Sequence, residues 1–307
     1  RTRHGRVRRM DDLAKPRFAE KFVTVEGIPI RYLEQGEGVP AILLHGSSLG
    51  SSADVFRRTL GPLADGGIRA IAFDFPGFGK SPDSDAVSNN AARKKFILAF
   101  MDALGLERAA LIGHSSSGNL TVGAGLDQPQ RVSHVMVLGT GSLLPPLEAE
   151  GTRVGGNEGA AQARLERRMV QQEPMLADTR ALLEANLFHH ELITDEELAL
   201  RHANSIGPCF TAFVKRQAAA EAGGGNKSAK EGVPLWQRLV DLKMPFLLIF
   251  GRNDRARAGE RAELLKQTYP QLDLHFAEGC KHLVPWDAAD LFHRLAVPFL
   301  TETRATA

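Results

Sequence analysis

At 307 residues, 43% apolar and 24% charged, the chain can bury a large core, either as one α/β domain with an insertion or as two domains. Its formal charge of +2 excludes the strongly basic surface of a nucleic-acid binder, and the five arginines and His4 of the first ten residues read as a solvated N-terminal tail over 1–20. No uncharged apolar run reaches the about 18 residues of a membrane span, Asp11, Asp12 and Lys15 interrupt any secretory core, and Cys209 with Cys280 supplies neither a disulfide framework nor a metal cluster, so a cytoplasmic protein without membrane, metal or cofactor is expected.

From Lys21 to Glu34, Phe22, Val23, Val25, Ile28, Ile30 and Tyr32 alternate around Glu26-Gly27, which predicts an antiparallel hairpin. The continuous apolar run 41–44 predicts a strand covered on both faces, and it ends in a loop of small residues, His45-Gly46-Ser47-Ser48-Leu49-Gly50. Helical spacing over 53–64 is followed by a strand over 68–73 and the loop Asp74-Phe75-Pro76-Gly77-Phe78-Gly79-Lys80-Ser81. A helix over 91–104, a strand over 109–112, a helix over 120–126 and a strand over 132–138 complete the rhythm. Strands separated by helices in this way predict a mostly parallel sheet with helices on both faces, and its ligands sit beyond the carboxyl ends of the strands.

From about 141 to 242 the pattern is helical only, over 160–172, 178–188, 195–205 and 209–221, with Thr194 and Glu197 spaced as a capping box. Glycine-rich breaks at 151–159 and 223–232 punctuate it. This predicts a helical lid inserted into a core formed by 21–140 and 243–307. The core resumes with a strand over 245–250, a helix over 259–268, a strand over 272–276 and a last helix over 287–300.

Three polar residues follow three different predicted strands in the order Ser115, Asp254, His282, the chain order of a Ser-Asp-His triad on this kind of sheet. A serine on the tight turn between strand and helix crowds the residues two before and two after it, so both have to be small. Gly113 and Ser117 satisfy this for Ser115, whereas Ser116 would place the His114 imidazole at the crowded position. The competing explanation, a serine-rich helix N-cap, leaves Asp254 and His282 at matching strand ends unexplained. In the triad reading His282 takes the Ser115 proton and Asp254 fixes the imidazole. The backbone N–H groups of Ser47 and Ser116 are the candidate oxyanion donors. His275 reads as a strand residue, His189-His190 lack metal-site spacing, and His114 reads either as a pocket wall or as a packed core histidine.

With these motifs assembled, the chain resembles the α/β-hydrolase fold family from Lys21 to Leu300, through His45-Gly46, Asp74 to Ser81, Gly113-His114-Ser115, Gly251-Arg252-Asn253-Asp254-Arg255 and His282. In Leu187 to Glu196 and Arg201-His202-Ala203 the lid is similar to the meta-cleavage-product hydrolases, which cleave a carbon–carbon bond in vinylogous diketones. That resemblance implies that Arg201 contacts a substrate carboxylate. It also implies that His114, Ser48 and Leu283, which stand where asparagine, a glycine-rich loop and tryptophan are usual, line the substrate pocket. The same triad would serve an ester or lactone, and a ligand receptor could keep the fold without turnover. A serine at the elbow excludes the carboxylate nucleophile of dehalogenases and epoxide hydrolases. The implied partner is a small-molecule substrate, and nothing in the composition excludes a homo-oligomer.

Overall fold

The computed structural model describes residues 18–147, 168–221 and 232–302. The basic tail up to residue 17, the glycine-rich break 151–159, most of the helix expected over 160–172 and most of the break 223–232 lie outside the described residues. Among the described residues an eight-stranded sheet runs in the order β1-β2-β4-β3-β5-β6-β7-β8. Its strands are β1 (Ala19–Val25), β2 (Ile28–Gln35), β3 (Val39–Leu44), β4 (Ile68–Phe73), β5 (Ala109–His114), β6 (Val132–Leu138), β7 (Phe246–Gly251) and β8 (Leu274–Ala277). The β1–β2 and β2–β4 pairs are antiparallel and every other pair is parallel.

The hairpin turns at Glu26 and Gly27, both with positive φ (49° and 80°). Two such residues match the right-handed twist of the flanking strands. The run 41–44, read as a doubly covered strand, and its neighbours β4 and β5 divide residue by residue between two cores. Ile42, Leu44, Ile71, Phe73 and Leu111 face one, and Ala41, Leu43, Ala70, Ala72, Ala110 and Ile112 face the other. The period of two, combined with burial on both sides, is why these strands show no polar alternation.

Helices α1 (Arg57–Asp65), α2 (Asn90–Ala103) and α3 (Ser117–Asp127) connect the first parallel strands, and α7 (Ala258–Thr268), α8 (Val284–Asp287) and α9 (Ala289–Thr301) follow β7 and β8. Phe96 and Phe100 of α2 fill the first core, Phe100 stacking on Phe73 at 4.2 Å. Leu60, Leu63, Phe292 and Ala296 of α1 and α9 fill the second. The single final helix expected over 287–300 is two, broken at Ala288 (φ −127°, ψ 36°). Between β6 and β7 the described residues form α4 (Leu176–Asn186), α5 (Asp195–Ala203) and α6 (Gly207–Ala219). Thr194 caps α5 by accepting from the Glu197 N–H. Glu197 itself turns to Arg58 and Arg57 of α1, so half of the expected box forms and the other half becomes a link to the sheet domain. No helix among the described residues is long and apolar enough to cross a membrane.

A buried charge cluster joins these parts. The Arg31 guanidinium, 3% exposed, donates to Asp54 at 2.8 and 3.0 Å, to Asp74 at 3.1 Å and to Glu20 at 3.0 Å. Asp74 also accepts from the N–H groups of Ala53 and Lys80, and Asp54 accepts from Asn204 at the end of α5. One guanidinium thereby ties β2 and the loops after β3 and β4 to the helical layer. Removing a single partner of such a buried set leaves uncompensated charge, which costs about 3–5 kcal/mol. Arg31→Leu should lower folding stability by about that amount in urea denaturation, against less than about 1 kcal/mol for Arg238→Ala at the exposed Arg238–Asp241 pair. Equal losses at the two positions would contradict this role for Arg31.

Candidate active site

The order β4-β3-β5 places the loops after β3 and β5 side by side at the point where the strand order reverses, the crevice where open α/β sheets take ligands. Ser115 occupies the turn between β5 and α3 with φ +58°, a left-handed conformation that a residue with a side chain adopts only under constraint. The constraint is visible: its N–H donates to the Leu138 carbonyl (2.9 Å) and its own carbonyl accepts from the Gly118 N–H (3.1 Å) and the Thr140 hydroxyl (2.5 Å). A Cβ at Gly113 would lie 2.5 Å from the Ser117 carbonyl oxygen, which is the crowding that the sequence argument required. The side chain of Ser117 is more than tolerated, since its hydroxyl donates to the His45 carbonyl (2.5 Å) and locks the elbow to the end of β3.

The Ser115 hydroxyl lies 2.9 Å from Nε2 of His282, whose Nδ1 is 3.0 Å from Asp254 Oδ2. The geometry sets the tautomer: Nδ1–H donates to the carboxylate, leaving Nε2 to accept from Ser115. Burial alone would raise the Asp254 carboxyl, but the facing imidazole, Arg255 and the Arg255 N–H (2.7 Å) outweigh it and hold the group below its ordinary range. The Ser116 hydroxyl reaches Ser47 Oγ (3.1 Å) and not the imidazole, which separates the two serines. Ser116 also stands at the N-cap of α3, and the hydroxyl contact sets residues 47 and 116 side by side.

Two residues of this site were not singled out in the sequence. The Asn186 carbonyl, at the end of α4, accepts from the N–H groups of both His282 and Leu283 (3.0 and 3.1 Å), so the helical layer positions the histidine loop. The guanidinium of Arg255 donates to Asn186 Oδ1 (2.9 Å) and approaches His282 Nε2 at 3.3 Å, on the nitrogen that also faces Ser115. Position 255 directly follows Asp254 in a motif already read, and that adjacency was its signal. Asn186 had none, because its role is carried by a backbone oxygen.

The remaining candidates meet in one cleft. Ser48, His114, Arg201 and Leu283 line it together with Gly46 and His282, and its water-accessible volume is only about 10 Å³, about enough for one water. Arg201 donates to Ser48 (3.2 Å). His114 Nε2 lies 2.9 Å from the His282 carbonyl oxygen, which can only accept. Nε2 therefore carries the proton and Nδ1 is an acceptor. A Cβ at Gly46 would lie 3.2 Å from Ser115 Oγ and 3.7 Å from His114 Nδ1, so both atoms border the space that this glycine leaves open. His45, in contrast, is spent on structure. Its Nε2 accepts from the Phe75 N–H (3.1 Å) and its Nδ1 donates to the Gly46 carbonyl (2.6 Å). His275 pairs with Asp273 at the sheet edge, and His189 with Glu191. Among the described residues no group of three or more His, Cys, Asp or Glu side chains converges on a metal position.

The alpha/beta hydrolase family model matches residues 41–295. The chain is 30% identical to the 2-hydroxy-6-oxo-6-phenylhexa-2,4-dienoate hydrolase of Burkholderia cepacia over 297 residues, covering 91% of this chain and 96% of that one. It is also 30% identical to the 2-hydroxy-6-oxononadienedioate/2-hydroxy-6-oxononatrienedioate hydrolase of Burkholderia vietnamiensis, covering 91% and 95%. A solved variant of the meta-cleavage product hydrolase from Pseudomonas fluorescens superposes with a TM-score of 0.71 at 25% identity, covering 91% and 96%.

Burial, above all, pushes the His114 and His45 imidazoles down to about 3, so both are neutral in the folded protein. Between pH 3 and their ordinary 6.5 the unfolded chain binds a proton at each that the folded chain does not. Their contribution to stability is complete above the upper limit and is lost as the pH falls toward the lower one. Asp74 has the opposite sign: burial, against the pull of Arg31, raises it from 3.8 to about 6, so its contribution falls as pH rises through that window. His114→Asn removes one of the two histidine contributions. The dependence of unfolding free energy on pH between about 4 and 6 should become shallower by about 1.4 kcal/mol per pH unit, read by urea denaturation across that range. An unchanged slope would mean that His114 is protonated in the fold.

Proposed function

The chain belongs to the alpha/beta hydrolase family, and from that premise we propose that it is a cytoplasmic, cofactor-independent serine hydrolase that cleaves a carbon–carbon bond in a vinylogous diketone carrying a carboxylate. The observation that carries the chemistry is the chain of contacts from Ser115 Oγ to His282 Nε2 (2.9 Å) and from His282 Nδ1 to Asp254 (3.0 Å). The substrate class is supported by the two dienoate hydrolases that match more than nine-tenths of the chain.

In this reading Ser115 attacks the ketone carbonyl while His282 accepts its proton, and Asp254 stabilises the resulting imidazolium. The N–H groups of Ser47 and Ser116 take the oxyanion. Collapse of the tetrahedral adduct breaks the carbon–carbon bond. The electron pair leaves with the conjugated fragment as a dienolate, which regains a proton delivered through His282. The acyl group on Ser115 is then hydrolysed by a water deprotonated by the same histidine. Arg201 holds the carboxylate of the dienoate. His114, an acceptor beside the nucleophile, receives a hydroxyl of the substrate or of the attacking water. Ser48 and Leu283 form the wall, and the segment 141–242 acts as a lid, with Asn186 linking it to the histidine loop.

A purified-protein assay with a ring-fission dienoate and with a short neutral aryl ester separates the readings. Ser115→Ala should cost at least about 10⁴-fold in kcat with either. Arg201→Gln should raise KM for the dienoate by about 10- to 100-fold, the loss of a charge-assisted carboxylate contact, and leave the neutral ester unaffected. Turnover of esters alone would sink the carbon–carbon reading in favour of a carboxylic-ester or lactone hydrolase. Failure of a serine-directed phosphonate to label Ser115 would favour a ligand receptor built on the same fold.

A further inference from the structure

A second cavity, of about 350 Å³, lies between the loop after β4, the start of α2 and the end of α6. It shares no lining residue with the cleft at Ser115. Its size lies within the range of small-molecule sites. Two half-buried guanidiniums, Arg93 of α2 and Arg216 of α6, face it. Arg216 donates to the Gly77 carbonyl (3.2 Å) and lies 3.9 Å over the Phe78 ring. Arg93 donates to the Val87 carbonyl (3.3 Å). Each guanidinium carries five N–H donors, so these contacts leave further donors on two arginines that line the cavity.

Neither arginine forms an ion pair among the described residues. The nearby acids, Asp83 and Asp85, both close on Lys215 at 2.9 Å. Among the described residues that line the cavity, three cations stand against two anions. Burial and, after it, the charge of Arg93 push Arg216 down to about 10 against the pull of Asp83, and burial lowers Arg93 as well. Two cations held near each other in a partly desolvated cavity are unfavourable unless an anion joins them. Val87, Pro76, Ala219 and Ala220 give the cavity an apolar side, while Ser84, Ser88, Asn89 and Asn90 add neutral polar groups, and the apolar side can carry the body of an organic anion.

We propose that this cavity is a second binding site, distinct from the Ser115 cleft, for a small organic carboxylate whose head is clamped between Arg93 and Arg216 and whose apolar body rests on Val87 and Ala219. Planar guanidiniums match a carboxylate through paired N–H bonds. The site is bounded toward the Ser115 cleft by Phe78, which carries Arg216 on one side and meets His45 edge-on at 4.8 Å on the other.

Calorimetric titration of the full chain with benzoate, and separately with inorganic phosphate, tests the assignment. Benzoate should bind saturably, and Arg93→Gln and Arg216→Gln should each weaken it by at least about tenfold, the loss of one charge-assisted contact. Arg93→Lys, which keeps the charge but not the fork, should weaken benzoate less than Arg93→Gln, and Arg201→Gln, which alters the other cleft, should retain all of the affinity. Because a buried-arginine variant can lose its fold, Ser88→Asp at the exposed rim provides an independent arm: a new negative charge there should also weaken benzoate. Absence of saturable benzoate binding at millimolar concentration would overturn the proposal. So would affinity lost in Arg201→Gln but kept in Arg93→Gln, or binding of phosphate in preference to benzoate.

Discussion

A serine held at φ +58° is the constraint around which the molecule is arranged. The left-handed region costs a residue with a Cβ about 1–3 kcal/mol, and it persists only where the surroundings over-determine it. Here β6 contributes the Leu138 carbonyl, the loop after it contributes the Thr140 hydroxyl, and the first turn of α3 contributes the Gly118 N–H. The bond from Ser117 to His45 then fixes the distance between the ends of β5 and β3. The candidate nucleophile is therefore held by its contacts with the strand ends and not by a free loop. A hydroxyl on a relaxed turn would sample rotamers and positions that the imidazole of His282 could not follow.

The rest of the site depends on a second layer held to the first by buried polar contacts. Arg31 binds the loops after β3 and β4 through Asp54 and Asp74, and Asn204 carries the same network to the end of α5. At the other end of the helical layer, the Asn186 carbonyl receives the N–H groups of His282 and Leu283. The base is thus oriented from three directions: by Asp254 through its ring, by α4 through its backbone, and by His114 through its carbonyl. A shift of α4 would be felt directly at Nε2, through the backbone of His282 and through Arg255, which bridges Asn186 and the imidazole.

Much of the fold was legible in the sequence because the physics there is local. The strands predicted over 68–73 and 132–138 are Ile68–Phe73 and Val132–Leu138 to the residue, since their carboxyl-terminal halves are buried apolar runs and the polar Arg69, Ser133 and His134 fall at the less buried starts. Helix limits shifted by a few residues where tertiary contacts extend a turn, as at α3, which begins at Ser117 instead of 120. The site was legible as far as strand ends could carry it, bringing Ser115, Asp254 and His282 into register. What was not legible is what depends on distant partners. Glu197 has the spacing of a capping residue and is used as an ion-pair partner, and Asn186 acts through an atom that every residue possesses. Arg93 and Arg216, 123 positions apart in the sequence, acquire meaning only when α2 and α6 face one cavity.

Two residues of the turn differ in what they do. Ser117 belongs to the scaffold, because its hydroxyl finds the His45 carbonyl. His114 is different. An asparagine amide at that place can present either a donor or an acceptor to the space before Ser115. An imidazole whose Nε2–H is committed to the His282 carbonyl can present only the Nδ1 lone pair. In the proposed reading the cleft favours a substrate that donates a hydrogen bond at that point and disfavours one that accepts there, because an acceptor facing an acceptor leaves both unpaired.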